Sequence, residues 1–270
     1  MIKYNYVIFT DLDGTLLDKQ TLNPGRALKT LKQCQTFNIP VVFVSAKTRV
    51  EMEVLRDELA NTSPFVSENG GGLFLPVEQF ERPDNFTGFD NYWRWQSSTS
   101  ISELQTALKN ASAAAKIKIR SFGDMSAVEL ASLTGLGLAG VELAKMREYD
   151  EPFQIVDETP NRIKAIKHEI AKLGYRYVYA GVFHHIMGQF DKGQTLLKLK
   201  NLYLRKDPKI KFIGLGDSYN DLPMLRIVDY PFLVGMPGGG LKENLNIPGL
   251  KITKNVGPKG FVEAIVSIIN

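Results

Sequence analysis

Asp11 and Asp13 stand two positions apart just after an apolar run, residues 7–9, and Thr10, with Gly14 and Thr15 directly after them. Carboxylates so placed suit a hard divalent cation such as Mg2+, and an aspartate can also act as a covalent nucleophile. Further positions would complete that chemistry. Ser45 closes the apolar run 39–44, where a hydroxyl and nearby backbone N–H groups at a helix start can hold a phosphate oxygen. An ordinary helix N-cap would look the same. Lys192 opens the amphipathic stretch 194–204. A lysine there opposes the helix dipole, so an anionic ligand or a carboxylate cluster would relieve it, whereas a solvent-facing charge needs neither. Asp217 and Asp221 lie four apart in G-D-S-x-N-D, residues 216–221, with Ser218 and Asn220 between them. If that loop enters a helical turn, the two acids share a face and complete a cation's shell, directly or through water. Cation and phosphoryl group together point to phosphoryl transfer.

Each of these residues ends an apolar run or opens a helical pattern. Strand and helix alternate up to residue 83 and again after residue 189. That alternation predicts an α/β fold with a doubly wound parallel, Rossmann-like sheet, whose ligands bind at the C-terminal strand ends. Ser45 follows Asp11 closely, but Lys192 lies far beyond both. The spacing predicts a discontinuous catalytic core, residues 1–83 and 190–270, and an inserted α+β cap, residues 84–189. The inserted part holds an Ala-rich helical stretch (104–115), a Gly-rich stretch (134–140) and a strand-like run (175–183). Trp93 and Trp95 are expected to pack within it.

The chain has 270 residues, 44% hydrophobic and 23% charged, as a soluble protein of two globular units would. No run approaches the roughly 20 apolar residues of a membrane span. The first motif strand starts so near Met1 that no secretory leader is expected, and a single cysteine excludes an internal disulfide. A cytoplasmic location follows as the expectation. Cys34 falls in the helical stretch 27–36, where packing accounts for it. Net charge is +4, without a dense Lys/Arg block, which argues against nucleic acid and suits a small anionic substrate. No membrane partner is expected, and no feature of the pattern sets an oligomeric state.

The D-L-D-G-T run at residues 11–15, Ser45, Lys192 and the 216–221 loop resemble the four motifs of the haloacid dehalogenase superfamily. The resemblance implies an Mg2+-dependent phosphatase with an aspartyl-phosphate intermediate and a cap of the larger α/β kind. Asp11 would be the nucleophile and Asp13 the acid and base, with Ser45 and Lys192 on the phosphoryl oxygens. Asp11, the backbone carbonyl of Asp13, and Asp217 would hold the metal, with Asp221 in support. Four further segments resemble mannosyl-3-phosphoglycerate phosphatases: S-x-K-T-R (45–49), S-E-N-G-G (67–71), R-E-Y-D-E-P-F (147–153) and G-P-K-G-F (257–261). This implies release of mannosylglycerate, a compatible solute. The glucosyl analogue, a general sugar phosphatase and a phosphosugar mutase are the alternatives.

Substrate contacts are expected from Lys47, Thr48, Arg49, Glu68, Asn69, Arg147, Glu148, Glu151, His184, Ser218 and Asn220. Arg147 could clamp a carboxylate through paired hydrogen bonds while the acids beside it read sugar hydroxyls. A solvated loop at residues 147–151 is the competing reading. His184 and His185 end the strand-like run and point to opposite faces, a poor metal pair, so one of them, taken as His184, faces the substrate.

Overall fold

The structure, a computed structural model, describes residues 5–180, 182–235 and 245–269. In the first third of the chain, β1 (Tyr6–Thr10), α1 (Ala27–Thr36), β2 (Val41–Val44), α2 (Arg49–Glu58), β3 (Phe65–Ser67), β4 (Gly72–Pro76), β5 (Thr87–Phe89) and β6 (Tyr92–Gln96) follow one another. The middle third holds α3 (Ile101–Ala115), β7 (Ile119–Ser121), α4 (Ala127–Thr134), α5 (Leu138–Lys145), β8 (Asp150–Ile155), α6 (Pro160–Lys172), β9 (Arg176–Ala180) and β10 (Phe183–Met187). Then come α7 (Lys192–Lys206), β11 (Lys211–Gly216), α8 (Leu222–Leu225), β12 (Tyr230–Gly235), β13 (Lys251–Val256) and α9 (Gly257–Ile269).

The Val-, Ile- and Phe-rich runs make strands buried on both faces, as parallel strands between two helical layers must be. One sheet has the order β13-β12-β11-β1-β2-β3-β4-β6-β5. It is parallel from β13 to β3 and continues antiparallel through β4, β6 and β5. Ile8, Val41, Phe43 and Ile213 pack towards α1, α2 and α9, while Val7, Phe9, Val42 and Phe212 pack towards α7 and α8. Strand order reverses beside β1, so the crevice at its C-terminal end is the topological switch point. Asp11 is the first residue past it.

A second, antiparallel sheet has the order β7-β8-β10-β9. Its one face is covered by α3 and α6 through Leu104, Leu108, Phe153, Ile166 and Ile186. Ser100 with Glu103 and Ser126 with Glu129 form capping boxes that start α3 and α4, a signature legible as S-x-x-E. The doubly wound core and the α+β insertion are thus as the sequence implies. The boundary at residue 84 is not. β5 and β6 extend the large sheet, and Trp93 and Trp95 pack on its Phe80–Leu196 side rather than in the cap; Trp93 Nε1 donates to Phe80 O at 2.9 Å. With no helix after β4, this hairpin looks like the start of the insertion, yet the open edge of β4 pairs with it. The insertion begins after Gln96. Cys34 is buried on α1 as expected, and burial pushes its thiol up to about 12. Among the described residues no single helix is long and apolar enough to cross a membrane.

Candidate active site

β1 and β11 are neighbours, so the loops that leave them emerge side by side. Asp11, Asp217 and Asp221 thereby each bring a carboxylate oxygen within 4.8 Å of the others, all three buried. Gly14, at φ +90°, lies against Asp217; a Cβ there would sit 2.4 Å from Oδ2. α7 enters at the same point. Lys192 Nζ donates to Asp11 Oδ1 at 2.7 Å and to Asp221 Oδ1 at 2.6 Å, which offsets the unfavourable place of a cation at a helix start. Asp221 Oδ2 accepts from the backbone N–H groups of Asp217 (3.1 Å) and Ser218 (3.0 Å) and from Ser218 Oγ (2.8 Å). Asp221 therefore holds the loop and the lysine, while Asp217 keeps oxygens for a ligand. Tyr219–Asp221 forms the single helical turn that the four-residue spacing of the acids requires.

The charges do not balance. Among the described residues, three buried carboxylates share one buried ammonium, Lys192, with the exposed Lys19 also drawing on Asp217. Burial and then the Asp221 charge raise Asp11 well above the usual carboxylate range, against the pull of Lys192. Burial and Asp221 also push Asp217 up to about 6. Burial alone would lower Lys192, but Asp11 and Asp221 raise it instead, so it stays charged. An all-oxygen, net negative set of this kind fits a hard divalent cation. The Asp13 side chain stands apart from the cluster: Oδ2 pairs with Lys47 Nζ at 2.9 Å, and Oδ1 is buried without a hydrogen-bond partner among the described residues.

Ser45 is buried at the end of β2, where its N–H continues the ladder to Val66 O and its Oγ accepts from Lys47 N at 3.2 Å. It is not an N-cap. Thr48 caps α2, accepting from Glu51 N at 3.3 Å while Glu51 Oε2 accepts from Thr48 N at 2.8 Å. Thr48 Oγ1 also donates to Leu143 O, so this expected substrate contact is used up by structure. Arg49 binds Glu53 (2.8 Å) and Glu148 (3.3 Å) and lies over the Phe89 ring.

The 147–151 segment is neither a solvated loop nor a free clamp. Glu68, fully buried, accepts from the N–H groups of Glu148, Tyr149 and Asp150. Arg147 is buried too, donating through Nε to Asp150 Oδ1 at 2.6 Å and through Nη2 to Ala46 O at 2.9 Å. His185 Nδ1 lies 3.3 Å from Asp150 Oδ2, and Asn69 Nδ2 donates to the same oxygen at 3.1 Å. Burial pushes Glu68 up, whereas Arg147 and His185 outweigh burial at Asp150 and hold it low. Asn220 Nδ2 then donates to Asn69 Oδ1 at 3.1 Å, and Ser218 Oγ bonds Asn220 Oδ1. One chain of hydrogen bonds thus runs from β8 of the cap to the aspartate loop.

Two expected contacts point away from the core. Alternation along β8 puts Glu151 on the face of Phe153 and Ile155, where it accepts from Gln105 Nε2 (3.1 Å) and Gly123 N (2.9 Å). His184 shares that face with Ile186, bonded to Glu158 (2.7 Å) and the Tyr177 hydroxyl (2.5 Å). The opposite-face rule holds, but His185 is the one turned towards the core, and residues 183–185 open β10 rather than end a strand. A cleft of about 330 Å³ between cap and core is lined by Asn69, Lys192 and Asn220 from the core and by Arg176 and Tyr179 from β9. Sequence reasoning passed over Arg176, although a lone arginine inside the strand-like 175–183 run was a visible signal.

Residues 8–79 match the family described as haloacid dehalogenase-like hydrolase. A Methanococcoides burtonii protein named glucosyl-3-phosphoglycerate/mannosyl-3-phosphoglycerate phosphatase is 37% identical over 98% of this chain and 97% of its own length. A Persephonella marina protein of the same name is 35% identical over 98% of this chain and 97% of its own. The fold is shared with a solved haloacid dehalogenase-like hydrolase from Bacteroides thetaiotaomicron, with TM-score 0.66 and 18% identity over 99% of this chain and 100% of that one. A doubly wound core with an inserted cap and converging aspartates defines a hydrolase class, and the chain belongs to the haloacid dehalogenase-like hydrolase family. Within it, the relatives just named are phosphatases of glycosyl-3-phosphoglycerates.

Proposed function

We propose that this chain is an Mg2+-dependent phosphomonoesterase that converts mannosyl-3-phosphoglycerate, and its glucosyl analogue, to the glycosylglycerate and inorganic phosphate. The observation that carries this reading is the cluster of three buried carboxylates, Asp11, Asp217 and Asp221, around the buried Lys192. Asp11 attacks phosphorus in line; the phosphorus–ester oxygen bond breaks and an aspartyl-phosphate forms. Asp13, on the flanking loop and tied to Lys47, gives its proton to the departing glycerate oxygen. It then takes a proton from water, whose oxygen attacks phosphorus and frees Asp11 with phosphate. Lys192 neutralises the nucleophile's surroundings, and Ser45 donates to a phosphoryl oxygen. Mg2+ held by Asp11, the Asp13 carbonyl and Asp217 would supply charge to the phosphoryl oxygens. Glu68 grips residues 148–150 and so holds the cap over the cleft, shielding it from bulk water. Among the expected substrate contacts, Lys47, Asn69 and Asn220 remain at the site.

Both glycosyl names occur among the relatives, which favours a pair of substrates over one. The products are compatible solutes, and a cytoplasmic location suits their use. Phosphate release from mannosyl- and glucosyl-3-phosphoglycerate, mannose phosphates and other sugar phosphates tests the reading. A marked Mg2+-dependent preference for the two glycosyl-3-phosphoglycerates is expected. Equal rates across the panel, or transfer of phosphate to a second sugar in place of release, would rule it out.

A further inference from the structure

Arg147 cannot meet a ligand, since Asp150 and Ala46 occupy its guanidinium. The cleft under the cap's edge strand offers another. β9 packs against the 219–221 turn of the aspartate loop, and its Arg176 lines the same cleft as Asn69, Asn220 and Lys192. Arg176 Nη1 donates to Phe190 O at 2.6 Å and to Asp191 Oδ2 at 2.8 Å. Those bonds orient the guanidinium plane, while Nε and Nη2 have no partner among the described residues and the side chain is 31% exposed. A guanidinium fixed at one nitrogen and open at the others is built for a planar two-oxygen anion.

Charge points the same way. Among the described residues lining the cleft, Asp191 is the single acid, against Lys167, Arg176 and Lys192. Asp191 is engaged already, accepting from Arg176 and from Gln194 N at 2.8 Å. Lys192 is held by Asp11 and Asp221. Arg176 and Lys167 against Asp191 therefore leave the cap end net positive, while the carboxylate cluster takes the phosphoryl group at the core end.

We infer that Arg176, backed by Lys167, is the specificity residue of this site and binds a carboxylate carried on the leaving group. The inference rests on the phosphomonoesterase reading and names what that site selects: esters with a second anion on the alcohol side. Glycerol 3-phosphate and 3-phosphoglycerate differ by that carboxylate, so each can be measured as a competitor of p-nitrophenyl phosphate hydrolysis by the full-length enzyme with Mg2+. The wild type should bind 3-phosphoglycerate at least about tenfold more tightly than glycerol 3-phosphate. Arg176→Gln should weaken 3-phosphoglycerate competition about tenfold more than glycerol 3-phosphate competition and so erase that difference. Arg176→Lys should restore part of it, and Lys167→Ala should cause a smaller loss in the same direction. Two results overturn the inference: no preference in the wild type, or equal weakening of both competitors in Arg176→Gln, which would mean that Arg176 only supports Asp191. Failure of the functional reading looks different: no phosphate is released from the glycosyl-3-phosphoglycerates while the competitor preference persists.

Discussion

Two buried ionic clusters lie at the meeting of cap and core, and on paper they are alike. Lys192 is held by Asp11 and Asp221; Arg147 is held by Asp150 and lies near Glu68. Both join segments far apart in the chain. The difference is in what is left over. Around Arg147, the carboxylates of Glu68 and Asp150 are met by a guanidinium, the His185 imidazole, three backbone N–H groups and the Asn69 amide. The carboxylates of that cluster are matched by donors from both sides, and it works as a clasp. Around Lys192, a third carboxylate, Asp217, raises the negative charge, and its oxygens lie with those of Asp11 and Asp221 in a group that could hold a cation. Uncompensated charge and open acceptors, rather than burial or ion pairing, separate a reactive centre from a structural one.

The sharpest way to break this comparison is to remove charge from the unsaturated cluster. Asp11→Asn should lower Mg2+-dependent turnover by about 10⁴-fold or more, because the proposed nucleophile is gone. Thermal stability without metal should hold or rise, since one of three repelling carboxylates is neutralised. A metal-free protein that melts much lower would mean that the cluster is already balanced.

Asp217 gives the next largest effect. Its carboxyl is pushed from 3.8 to about 6 in the folded chain. Its share of stability without metal is thus present below the unfolded value and lost as pH rises through the folded one, roughly 3 kcal/mol in all. Mg2+ requires the ionised form, so affinity should fall about tenfold per pH unit below about 6. Melting curves over about pH 4–8, with and without Mg2+, should show metal stabilisation growing with pH. Stabilisation independent of pH would place the metal elsewhere.

Asn69 links the two clusters, and its left-handed φ of 57° is one that Asp also tolerates. Asn69→Asp keeps the oxygen that accepts from Asn220 but removes the amide donor to Asp150 and sets a carboxylate beside it. The Mg2+ concentration for half-maximal rate should rise about 10- to 100-fold, with the saturated rate much less affected. Activity titrations against Mg2+ read this directly; an unchanged midpoint would show that the clasp and the reactive centre are uncoupled. The smallest effect belongs to the far face of the cap. Glu151→Gln should leave kcat/KM within about threefold and cost about 1 kcal/mol of stability, because its partners are Gln105 and Gly123 rather than substrate. A large rise in KM would put Glu151 back at the cleft.

The catalytic half of the site was legible because each part is local. An apolar run, a turn and an acid or lysine within a few positions imply a strand end or a helix start, and a parallel sheet gathers strand ends at one edge. The cap was harder to read. Glu68 and the 148–150 amides it accepts from lie eighty and more residues apart, so Arg147 looked free when it was not. The faces of Glu151 and His184 depended on which side of the small sheet α3 and α6 cover, a matter of packing that alternation alone leaves two ways. The hairpin of β5 and β6 joined the large sheet because β4 left an edge to pair with.

By itself, then, the sequence determined the doubly wound core, its insertion and the residues that gather at the strand ends, since short-range pattern and chain order are enough to set those. Tertiary structure alone decided which buried charges are answered and which are not, because that balance depends on partners supplied by distant strands and on the one face of each cap strand that the core can see.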